Sequence, residues 1–515
     1  MQRRLILESN NIPIVKMRNI TKRFGAKVLA NDKVWLDIYP GEILSILGEN
    51  GSGKTTLMNM LSGIYFPDEG TIEVNGQPVV IRSPKDAFAL GIGMVHQHFK
   101  LVDVLTAAEN IVLGLEEPFD IAASSAKIRD ICSRYGFDVN PDQKIYDMSV
   151  SQKQTVEIVK VLYRNANILI LDEPTAVLTP QETDKLFAVL RNMRSDGKAI
   201  VIITHKLHEV EEISDRVAIL RKGQFVGDML TKDTTPGEMT NMMVGHAVKL
   251  NIERPDPVNS KPRLEVKDLS VRSPDGILKL DHVSFTLNSG EILGIAGISG
   301  CGQKELLEAI AGLQKAESGS IQYVEDDGSL DELLGKDPLE IRQKGVALSF
   351  VPEDRLGMGL VANMDLADNM MLRSFRRGHS FLTDRKAPHD LAEHVVHDLE
   401  VVTPGISTPV RRLSGGNVQK VLVGREIASA PSILLTAYAV RGLDVNSSYV
   451  IYDLLNKQKQ NGVGVLYVGE DLDVLLELCD RILVLCGGKV SGIVDGRKAE
   501  KMQIGRMMTS LGGEA

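Results

Sequence analysis

The chain has 515 residues and a formal net charge of -9, and its 43% hydrophobic and 25% charged composition excludes an intrinsically disordered protein. Its mild acidity disfavours a non-specific electrostatic grip on DNA or RNA, and it contains no apolar run near the roughly 18 to 20 residues that span a bilayer. The four cysteines form no CxxC pair and the N-terminus shows no apolar signal region, so we expect reduced thiols and an intracellular protein.

The sequence repeats itself along the chain. Three segments of the first half return in the second half in the same order: 41–64 as 290–313, 148–162 as 413–427, and 199–224 as 463–489. A polar stretch that contains prolines breaks every periodic pattern between the halves. We therefore predict a tandem duplication with a first domain at 1–250, a linker at 251–262 and a second domain at 263–515.

Each half predicts the same order of elements. Strand-like alternation, as in IVKMRNITKRF, precedes an apolar strand that runs into a glycine loop and a helix. A more helical insert follows, and then short apolar runs such as ILILD and AIVIIT. Such runs are expected of central parallel strands that helices cover on both faces. We predict two α/β domains of about 250 residues each.

The glycine loop of the first half carries a phosphate-binding pattern. GENGSGKT at 48–55 satisfies G-x-x-x-x-G-K-[ST] between the strand EILSIL and a helix. Backbone N–H groups of such a loop face inward, and the helix N-terminus adds partial positive charge against a phosphate. Lys54 is predicted to reach the β- and γ-phosphates, and the Thr55 hydroxyl to ligate Mg²⁺. The residues predicted to hold the nucleotide phosphates are Gly48, Glu49, Asn50, Gly51, Ser52, Gly53, Lys54, Thr55 and Thr56.

Acidic and polar side chains follow other strands of the first half. ILILDEPT places Asp172 and Glu173 at the carboxyl end of a buried strand, where ligands of open α/β sheets bind. Asp172 is predicted to hold Mg²⁺ or its water, Glu173 to polarise the attacking water, and Gln97 to ligate Mg²⁺ through its amide oxygen. His205 is a structural histidine when taken alone, but in this order of motifs it is predicted to sense the γ-phosphate. Lys54, Glu173 and His205 are the predicted catalytic residues.

The P-loop, the glutamine loop, a serine-glycine signature, the strand that ends in carboxylates and the histidine together resemble the nucleotide-binding domains of ABC ATPases. The resemblance covers essentially the whole chain, twice. It implies that each half is a P-loop NTPase domain with a RecA-like core, an antiparallel β subdomain and a helical subdomain, and that the cofactors are ATP and Mg²⁺. It also implies that Phe24, in KRFGA, stacks on adenine; the alternative is an interior phenylalanine packed in the core.

In this family two such domains face each other head to tail, with ATP between the P-loop of one domain and the signature of the other. The signature presents a serine hydroxyl and backbone N–H groups at a helix start, which complete the phosphate cradle. The first site is therefore complete: LSGGN of the second half supplies Ser414, Gly415 and Gly416, with Asn417 in place of the commoner glutamine.

The second site is degraded on both faces. Gln303 and Lys304 stand where the P-loop lysine and its Ser or Thr are expected, although a shifted Lys304 would still serve a phosphate. The other replacements are Ala437 and Tyr438 for the two carboxylates, Glu353 for the glutamine, Glu470 for the histidine, and Val150 and Ser151 for two signature glycines. We predict one hydrolytic site and one site that at most binds nucleotide.

Duplicated halves without membrane segments are typical of two classes: the ATPase subunit of a sugar-type importer, and a soluble factor that acts on the ribosome or DNA. The short linker and the degraded second half favour the importer. VPEDR, LSGGN and RGLD look like ATPase subunits for monosaccharides and nucleosides. VHQHFKLVDVLTAAENIVLG looks most like the nucleoside branch, with a pentose or hexose as the alternative solute.

The importer resemblance also implies partners. We expect two transmembrane permease subunits and, indirectly, an extracytoplasmic solute-binding protein, with no nucleic acid, and a peripheral position on the cytoplasmic face of the cell membrane. Residues around 98–113 and 356–373 are expected to contact the cytoplasmic coupling helices of the permeases. A methionine-rich stretch there is either an adaptable interface or ordinary core packing, and its members are Met358, Met364, Met370 and Met371.

Overall fold

The fold is that of a computed structural model. It describes residues 12–510 except for 26–27, 98, 116–119, 177, 246–251, 258–259, 274, 299, 351–358, 373, 375–383, 428–430, 441–442, 444 and 470. Glu353, Met358 and Glu470, which the sequence singled out, lie outside the described residues. The chain divides into two compact units, Met1–Lys249 and Leu250–Ala515.

In its described part, the first unit contains ten strands and eight α-helices. The strands are β1 (Val15–Phe24), β2 (Val28–Ile38), β3 (Ile43–Leu47), β4 (Glu69–Val74), β5 (Gln77–Val79), β6 (Ile92–Val95), β7 (Ile168–Asp172), β8 (Ala199–Ile203), β9 (Arg216–Arg221) and β10 (Gln224–Leu230). The helices are α1 (Lys54–Leu61), α2 (Pro84–Ala89), α3 (Ala107–Val112), α4 (Ile121–Tyr135), α5 (Val150–Tyr163), α6 (Pro180–Ser195), α7 (Leu207–Ile213) and α8 (Pro236–Val244).

These strands form two sheets. An antiparallel sheet has the order β2-β1-β4-β5, and a six-stranded sheet has the order β10-β9-β3-β8-β7-β6, in which β9 and β10 pair antiparallel and the other neighbours pair parallel. The central strands β3, β7 and β8 are buried at every residue, as expected of parallel strands with helices on both faces. The predicted α/β architecture is confirmed.

The second unit repeats the first. Its strands are β11 (Pro262–Arg272), β12 (Leu278–Asn288), β13 (Ile292–Gly297), β14 (Ser318–Val324), β15 (Leu330–Glu332), β16 (Val346–Phe350), β17 (Ile433–Ala437), β18 (Gly464–Val468), β19 (Arg481–Cys486) and β20 (Lys489–Asp495). Its helices are α9 (Gln303–Ile310), α10 (Pro338–Gln343), α11 (Leu366–Met371), α12 (Lys386–Asp398), α13 (Gly415–Ile427), α14 (Val445–Gln460), α15 (Leu472–Leu478) and α16 (Lys501–Thr509). The sheet orders β12-β11-β14-β15 and β16-β17-β18-β13-β19-β20 match those of the first unit strand for strand.

Helices of the insert between β6 and β7 pack around a small core of their own. Ile111 of α3, Ile128 of α4 and Val159 of α5 are fully buried in it. The longest described helices, α6 and α14, have 16 residues each, and no helix in the described part of the chain is long and apolar enough to cross a membrane.

The segment before β11 contacts the second unit. Asn456 Nδ2 donates to the carbonyl of Glu253 at 2.7 Å, and Arg254 Nη1 donates to the carbonyl of Leu476 at 2.9 Å. The side chain of Ile252 is buried in the core of that unit. The start of the predicted linker is therefore a docked segment of the second unit.

Candidate nucleotide-binding site

The P-loop connects the buried strand β3 to the start of α1. Two of its glycines are required by close backbone contacts. A Cβ on Gly48 would lie 2.2 Å from the carbonyl oxygen of Leu220, and a Cβ on Gly53 would lie 2.3 Å from that of Ala30. Gly53 also caps α1 with a φ of 94°, in the left-handed region that favours glycine. The loop is thus packed against the end of β9 on one side and the β1–β2 hairpin on the other.

Lys54 is a buried ammonium at the first position of α1. Its Nζ donates hydrogen bonds to the carbonyls of Gly48 at 2.7 Å and Glu49 at 2.9 Å. Burial lowers the pKa of Lys54, while the nearby carboxylates of Glu173 and Asp172 act in the opposite direction. A desolvated cation at a helix N-terminus is suited to a phosphate group, which supplies the opposite charge.

Ser52 and Thr55 offer hydroxyl groups within the same loop. The Ser52 hydroxyl oxygen is buried and, among the described residues, has no hydrogen-bond partner. A buried polar atom of this kind normally requires a partner, which a bound ligand can supply. Of the other predicted phosphate ligands, exposed backbone or side chains are found at Asn50, Gly51 and Thr55, and partly buried ones at Glu49 and Thr56.

The Thr55 hydroxyl and the Asp172 carboxylate meet across the site. Thr55 Oγ1 donates to Asp172 Oδ1 at 3.4 Å. Burial raises the pKa of Asp172 to about 6, against the opposing effect of the Thr55 hydrogen bond. Hydroxyl and carboxylate oxygens are the hard ligands that Mg²⁺ prefers, and a cation would also offset the burial of this carboxylate. These two residues therefore fit the predicted Mg²⁺ ion.

Glu173 lies between Gln97 and His205. Gln97 Nε2 donates to Glu173 Oε2 at 2.9 Å, and His205 Nδ1 lies 3.1 Å from Glu173 Oε1. The hydrogen bond with His205 lowers the pKa of Glu173 in spite of its burial, so the carboxylate is ionised. An ionised carboxylate oriented from both sides can accept a hydrogen bond from a water molecule. The structure thus brings six predicted residues into one connected set: Lys54, Thr55, Gln97, Asp172, Glu173 and His205.

A buried glutamate supports this set and was not predicted. Glu209, on α7, accepts a hydrogen bond from Thr175 Oγ1 at 2.6 Å and pairs with Lys206 Nζ at 3.1 Å. It also accepts a hydrogen bond from Thr204, the residue before His205, at 3.4 Å. Glu209 therefore ties the loop that carries His205 to the loop that follows Glu173. The sequence offers no signal for it, because a glutamate among other glutamates of a short helix is typical of a solvated face.

Phe24 lies at the end of β1, where its side chain is 39% exposed. Its ring packs at 74° against that of Tyr65, with the centroids 5.1 Å apart. The exposure argues against the alternative of an interior phenylalanine. In the second unit, Ser414 precedes α13, and its hydroxyl oxygen accepts a hydrogen bond from Asn417 Nδ2 at 2.8 Å. Gly415 opens that helix.

The matching positions of the second unit carry a different chemistry. Gln303, also buried, donates from Nε2 to the P-loop carbonyl of Ile298 at 3.1 Å. Lys304 Nζ lies 3.6 Å from Glu308 Oε1 on the same helix. Ala437 ends β17 and Tyr438 follows it, so neither position carries a carboxylate.

Several known proteins similar to this chain are named as import ATP-binding proteins. The nucleoside import protein NupA of Lactococcus lactis subsp. cremoris (strain MG1363) is 41% identical over 506 residues, which cover 97% of this chain and 98% of that protein. The glucose import protein TsgD13 of Haloferax volcanii is 39% identical over 546 residues, which cover 98% and 96%. The guanosine import protein NupO of Bacillus subtilis (strain 168) is 39% identical over 502 residues, which cover 96% and 97%.

A protein-family model also matches both units. The model described as ABC transporter matches residues 31–176 and 280–436. These matches include the P-loop and the carboxylates of the first unit, and the degraded loop and the signature of the second. With this match and relatives of similar length above 30% identity, the chain belongs to the ABC transporter family of ATP-hydrolysing proteins.

Proposed function

We propose that this chain is the energy-coupling subunit of an importer, in which ATP binding and hydrolysis drive uptake of a nucleoside or a simple sugar through separate membrane subunits. The observation that carries the proposal is the similarity, over almost the full length of both chains, to proteins named as import ATP-binding proteins. These names also make a soluble factor that acts on the ribosome or DNA the weaker alternative.

The first unit supplies the residues for hydrolysis. Lys54 and the N–H groups of the P-loop bind the β- and γ-phosphates of ATP, and Phe24 stacks on adenine. Oxygens of Thr55, Asp172 and Gln97 would hold Mg²⁺, which would supply positive charge against the phosphate oxygens. Glu173 polarises the attacking water by accepting a hydrogen bond from it. Its low pKa supports this role, because a protonated carboxyl would not accept that proton.

His205 and the signature of the second unit complete the site in this proposal. The side chain of His205 is half exposed and already oriented by Glu173, so it is available to contact the γ-phosphate. Ser414, Gly415 and Gly416 are proposed to serve the same nucleotide, since a serine hydroxyl and the N–H groups at the start of α13 are suited to phosphate oxygens.

The second P-loop serves a site that at most binds nucleotide. Gln303 supplies no charge for a phosphate, and neither Ala437 nor Tyr438 supplies a metal ligand or a base. A shifted Lys304 would still leave positions 437 and 438 without a carboxylate to hold a metal ion. Hydrolysis is therefore proposed to occur at the first site alone.

The solute is proposed to be a nucleoside, with a monosaccharide as the alternative. Two of the relatives are named for import of nucleosides or guanosine and the third for glucose. The partners are two transmembrane permease subunits, contacted through 98–113 and 356–373, and indirectly an extracytoplasmic solute-binding protein. The chain would then be peripheral on the cytoplasmic face of the membrane.

Uptake by intact cells tests this proposal. Uptake of labelled nucleosides and monosaccharides is compared between the parent strain and a strain that lacks this gene. We expect the loss of one uptake, restored by the wild-type chain but not by Lys54→Ala. Lys232→Ala, which removes an exposed lysine outside the site, is the matched control and restores uptake. No loss across the panel, with co-sedimentation of the chain with ribosomes, would contradict the importer.

A further inference from the structure

The first unit carries an aromatic pair beside its P-loop. Phe24, at the end of β1, and Tyr65, after α1, have ring centroids 5.1 Å apart and an interplanar angle of 74°. Perpendicular packing of this kind is a favoured geometry for aromatic rings, because the positive edge of one faces the negative face of the other. Both residues remain more than a third exposed, at 39% and 37%. The pair is therefore ordered by contact but still open to a ligand.

The loop that carries Tyr65 is fastened to β1 by polar contacts. Asp68 accepts hydrogen bonds from the backbone N–H of Arg23 at 2.6 Å and from Lys22 Nζ at 3.0 Å, and its own N–H donates to Thr21 at 2.8 Å. Lys22 Nζ also donates to the carbonyl of Phe66 at 2.7 Å and lies 5.8 Å from the Phe24 ring centroid. These contacts join the backbone before Phe24 to the backbone after Tyr65.

The hairpin that carries Phe24 lies against the start of α1. Phe24 pairs with Val28 at the end of the hairpin. Two residues later, the carbonyl of Ala30 lies so close to Gly53 that a Cβ there would be 2.3 Å away. Asn31 Nδ2 donates to the carbonyl of Gly53 at 3.2 Å. The strand that pairs with Phe24 thus contacts the P-loop directly.

The second unit retains the backbone of this region without the aromatic rings. The N–H of Glu317 donates to Ser270 at 2.8 Å, which is the same contact as that of Asp68 with Thr21. Ser273 stands in the position of Phe24 and Gln314 in that of Tyr65. Gln314 Nε2 donates to the carbonyl of Arg272 at 2.9 Å instead of making a ring contact. The aromatic pair therefore occurs in the unit that also retains the lysine and the carboxylates.

We propose that Tyr65 is a positioning residue for the base of the nucleotide: it holds the ring of Phe24 in the orientation that stacks on adenine. The inference rests on the proposed function, in which Phe24 is the base-stacking residue of the first site. Tyr65 acts through Phe24, so its contribution belongs to the base and not to the phosphates. This separation makes it measurable, because inorganic tripolyphosphate carries the phosphates without the base.

The test is equilibrium binding of ATP and of tripolyphosphate, each with Mg²⁺, to the purified full chain. Tyr65→Ala is expected to weaken ATP binding about threefold to tenfold, the range of one aromatic pair, and to leave tripolyphosphate binding unchanged. Tyr65→Phe retains the ring and is expected to bind ATP like the wild type. Phe24→Ala weakens ATP at least as much, and adding Tyr65→Ala to it causes no further loss, because the two residues act as one unit.

Three outcomes would overturn the inference. Tyr65→Ala could leave ATP binding unchanged, weaken both ligands equally, or add its full effect to that of Phe24→Ala. Tyr146→Ala, which removes an exposed tyrosine of the same unit, is the matched control and is expected to bind both ligands like the wild type. A wild-type chain that binds neither ligand would instead overturn the proposed function, and the inference with it.

Discussion

The two units have the same framework but different chemistry. In each, an arginine of the strand after the histidine position pairs with a glutamate before the P-loop strand, and an aspartate accepts a hydrogen bond from the first residue of that strand. The repeated contacts are Arg216–Glu42 at 2.8 Å and Arg481–Glu291 at 2.6 Å, and Ile43 N to Asp215 and Ile292 N to Asp480, both at 2.9 Å. The fold is therefore stabilised by residues other than those proposed to bind and hydrolyse the nucleotide.

The residues after β7 and β17 also share a backbone conformation while their side chains differ. Glu173 and Tyr438 both have positive φ, of 47° and 57°. Their N–H groups donate to the last residue of the neighbouring strand, at 2.9 Å to Ile203 and 3.0 Å to Val468. A non-glycine residue in this conformation is strained, and the second unit retains the strain after losing the carboxylate. The conformation thus belongs to the framework, and only the side chain belongs to the reaction.

The two P-loops share a hydrogen bond although its donor is charged in one and neutral in the other. Lys54 donates to the carbonyl of Glu49, and Gln303 donates to the matching carbonyl of Ile298, at 2.9 and 3.1 Å. A neutral amide is therefore sufficient to support the shape of the loop. The positive charge of Lys54 is not needed for that purpose, which supports its assignment to the ligand.

The largest effect is expected from removing the carboxylate that only the first unit has. Glu173→Gln retains the hydrogen-bonding shape but cannot take a proton, and a positioned base contributes about 10²- to 10⁴-fold to a rate. We expect single-turnover ATP hydrolysis by the assembled transporter to fall by that factor. Tyr438→Gln, at the same backbone position of the second unit, is the matched control and leaves the rate unchanged. Equal losses from both variants would mean that the units share the reaction.

The shared framework predicts the next largest effect, and it has the same direction in both units. Arg216→Ala leaves the buried carboxylate of Glu42 without its partner, and breaking a buried ion pair costs about 3 to 5 kcal/mol of unfolding free energy. Arg481→Ala does the same to Glu291 but costs less, because the side chain of Arg481 is 32% exposed and that of Arg216 only 5%.

Hydrogen–deuterium exchange of the full chain resolves the two units in this experiment. We expect faster exchange in the strands of the altered unit alone. Arg129→Ala breaks an exposed pair with Asp142 and is the control, with an effect within about 1 kcal/mol. If only one unit responded to its arginine variant, the framework would not be shared.

The sequence predicted the parts of this comparison that depend on local pattern. Apolar runs, the glycine spacing and the recurrence of segments are properties of neighbouring residues, so the α/β units and their sheets followed from them. Asp172 and Glu173 lie at the carboxyl end of β7, and Lys54 follows β3 after the P-loop. Parallel strands bring such carboxyl ends to one edge of a sheet.

Sequence patterns do not predict contacts between segments that are distant along the chain. Glu209 and Tyr65 belong to a charged helix and a short loop, and their roles arise only when the chain returns to Thr175 and Phe24. The contact of Arg254 with the second unit was not predicted either, because prolines and polar residues are also typical of an extended linker. A pattern shows which residues are buried or exposed, but the identity of a partner depends on the tertiary fold.

The helical inserts offer a further comparison, with a smaller expected effect. Asn110 and Asn369 are fully buried, and the side-chain amide of each makes two hydrogen bonds with the backbone of a valine. Asn110 accepts from the N–H of Val102 at 2.7 Å and donates to its carbonyl at 3.1 Å. Asn369 accepts from the N–H of Val361 at 2.8 Å and donates to its carbonyl at 3.1 Å. Replacing either by alanine leaves backbone groups unpaired, at a cost of about 1 to 3 kcal/mol. We expect faster amide exchange at Val102 or Val361, and no change from the exposed control Asn461→Ala. Unchanged protection in both units would remove the asparagines from the shared framework.

The smallest effect is expected from restoring part of the second P-loop. Gln303→Lys with Lys304→Thr returns the ammonium and the hydroxyl, and a charged donor strengthens a phosphate contact by roughly 1 kcal/mol over a neutral one. We expect the loop to accept the lysine, because the amide of Gln303 already donates to the carbonyl of Ile298. That carbonyl is equivalent to the one of Glu49, to which Lys54 donates in the first unit. We expect tighter or additional binding of ATP by equilibrium dialysis and no increase in turnover, since Ala437 and Tyr438 still supply no carboxylate. A rise in turnover would show that the phosphate cradle alone limits the second site, and the separation between binding and chemistry drawn from the two units would then be wrong.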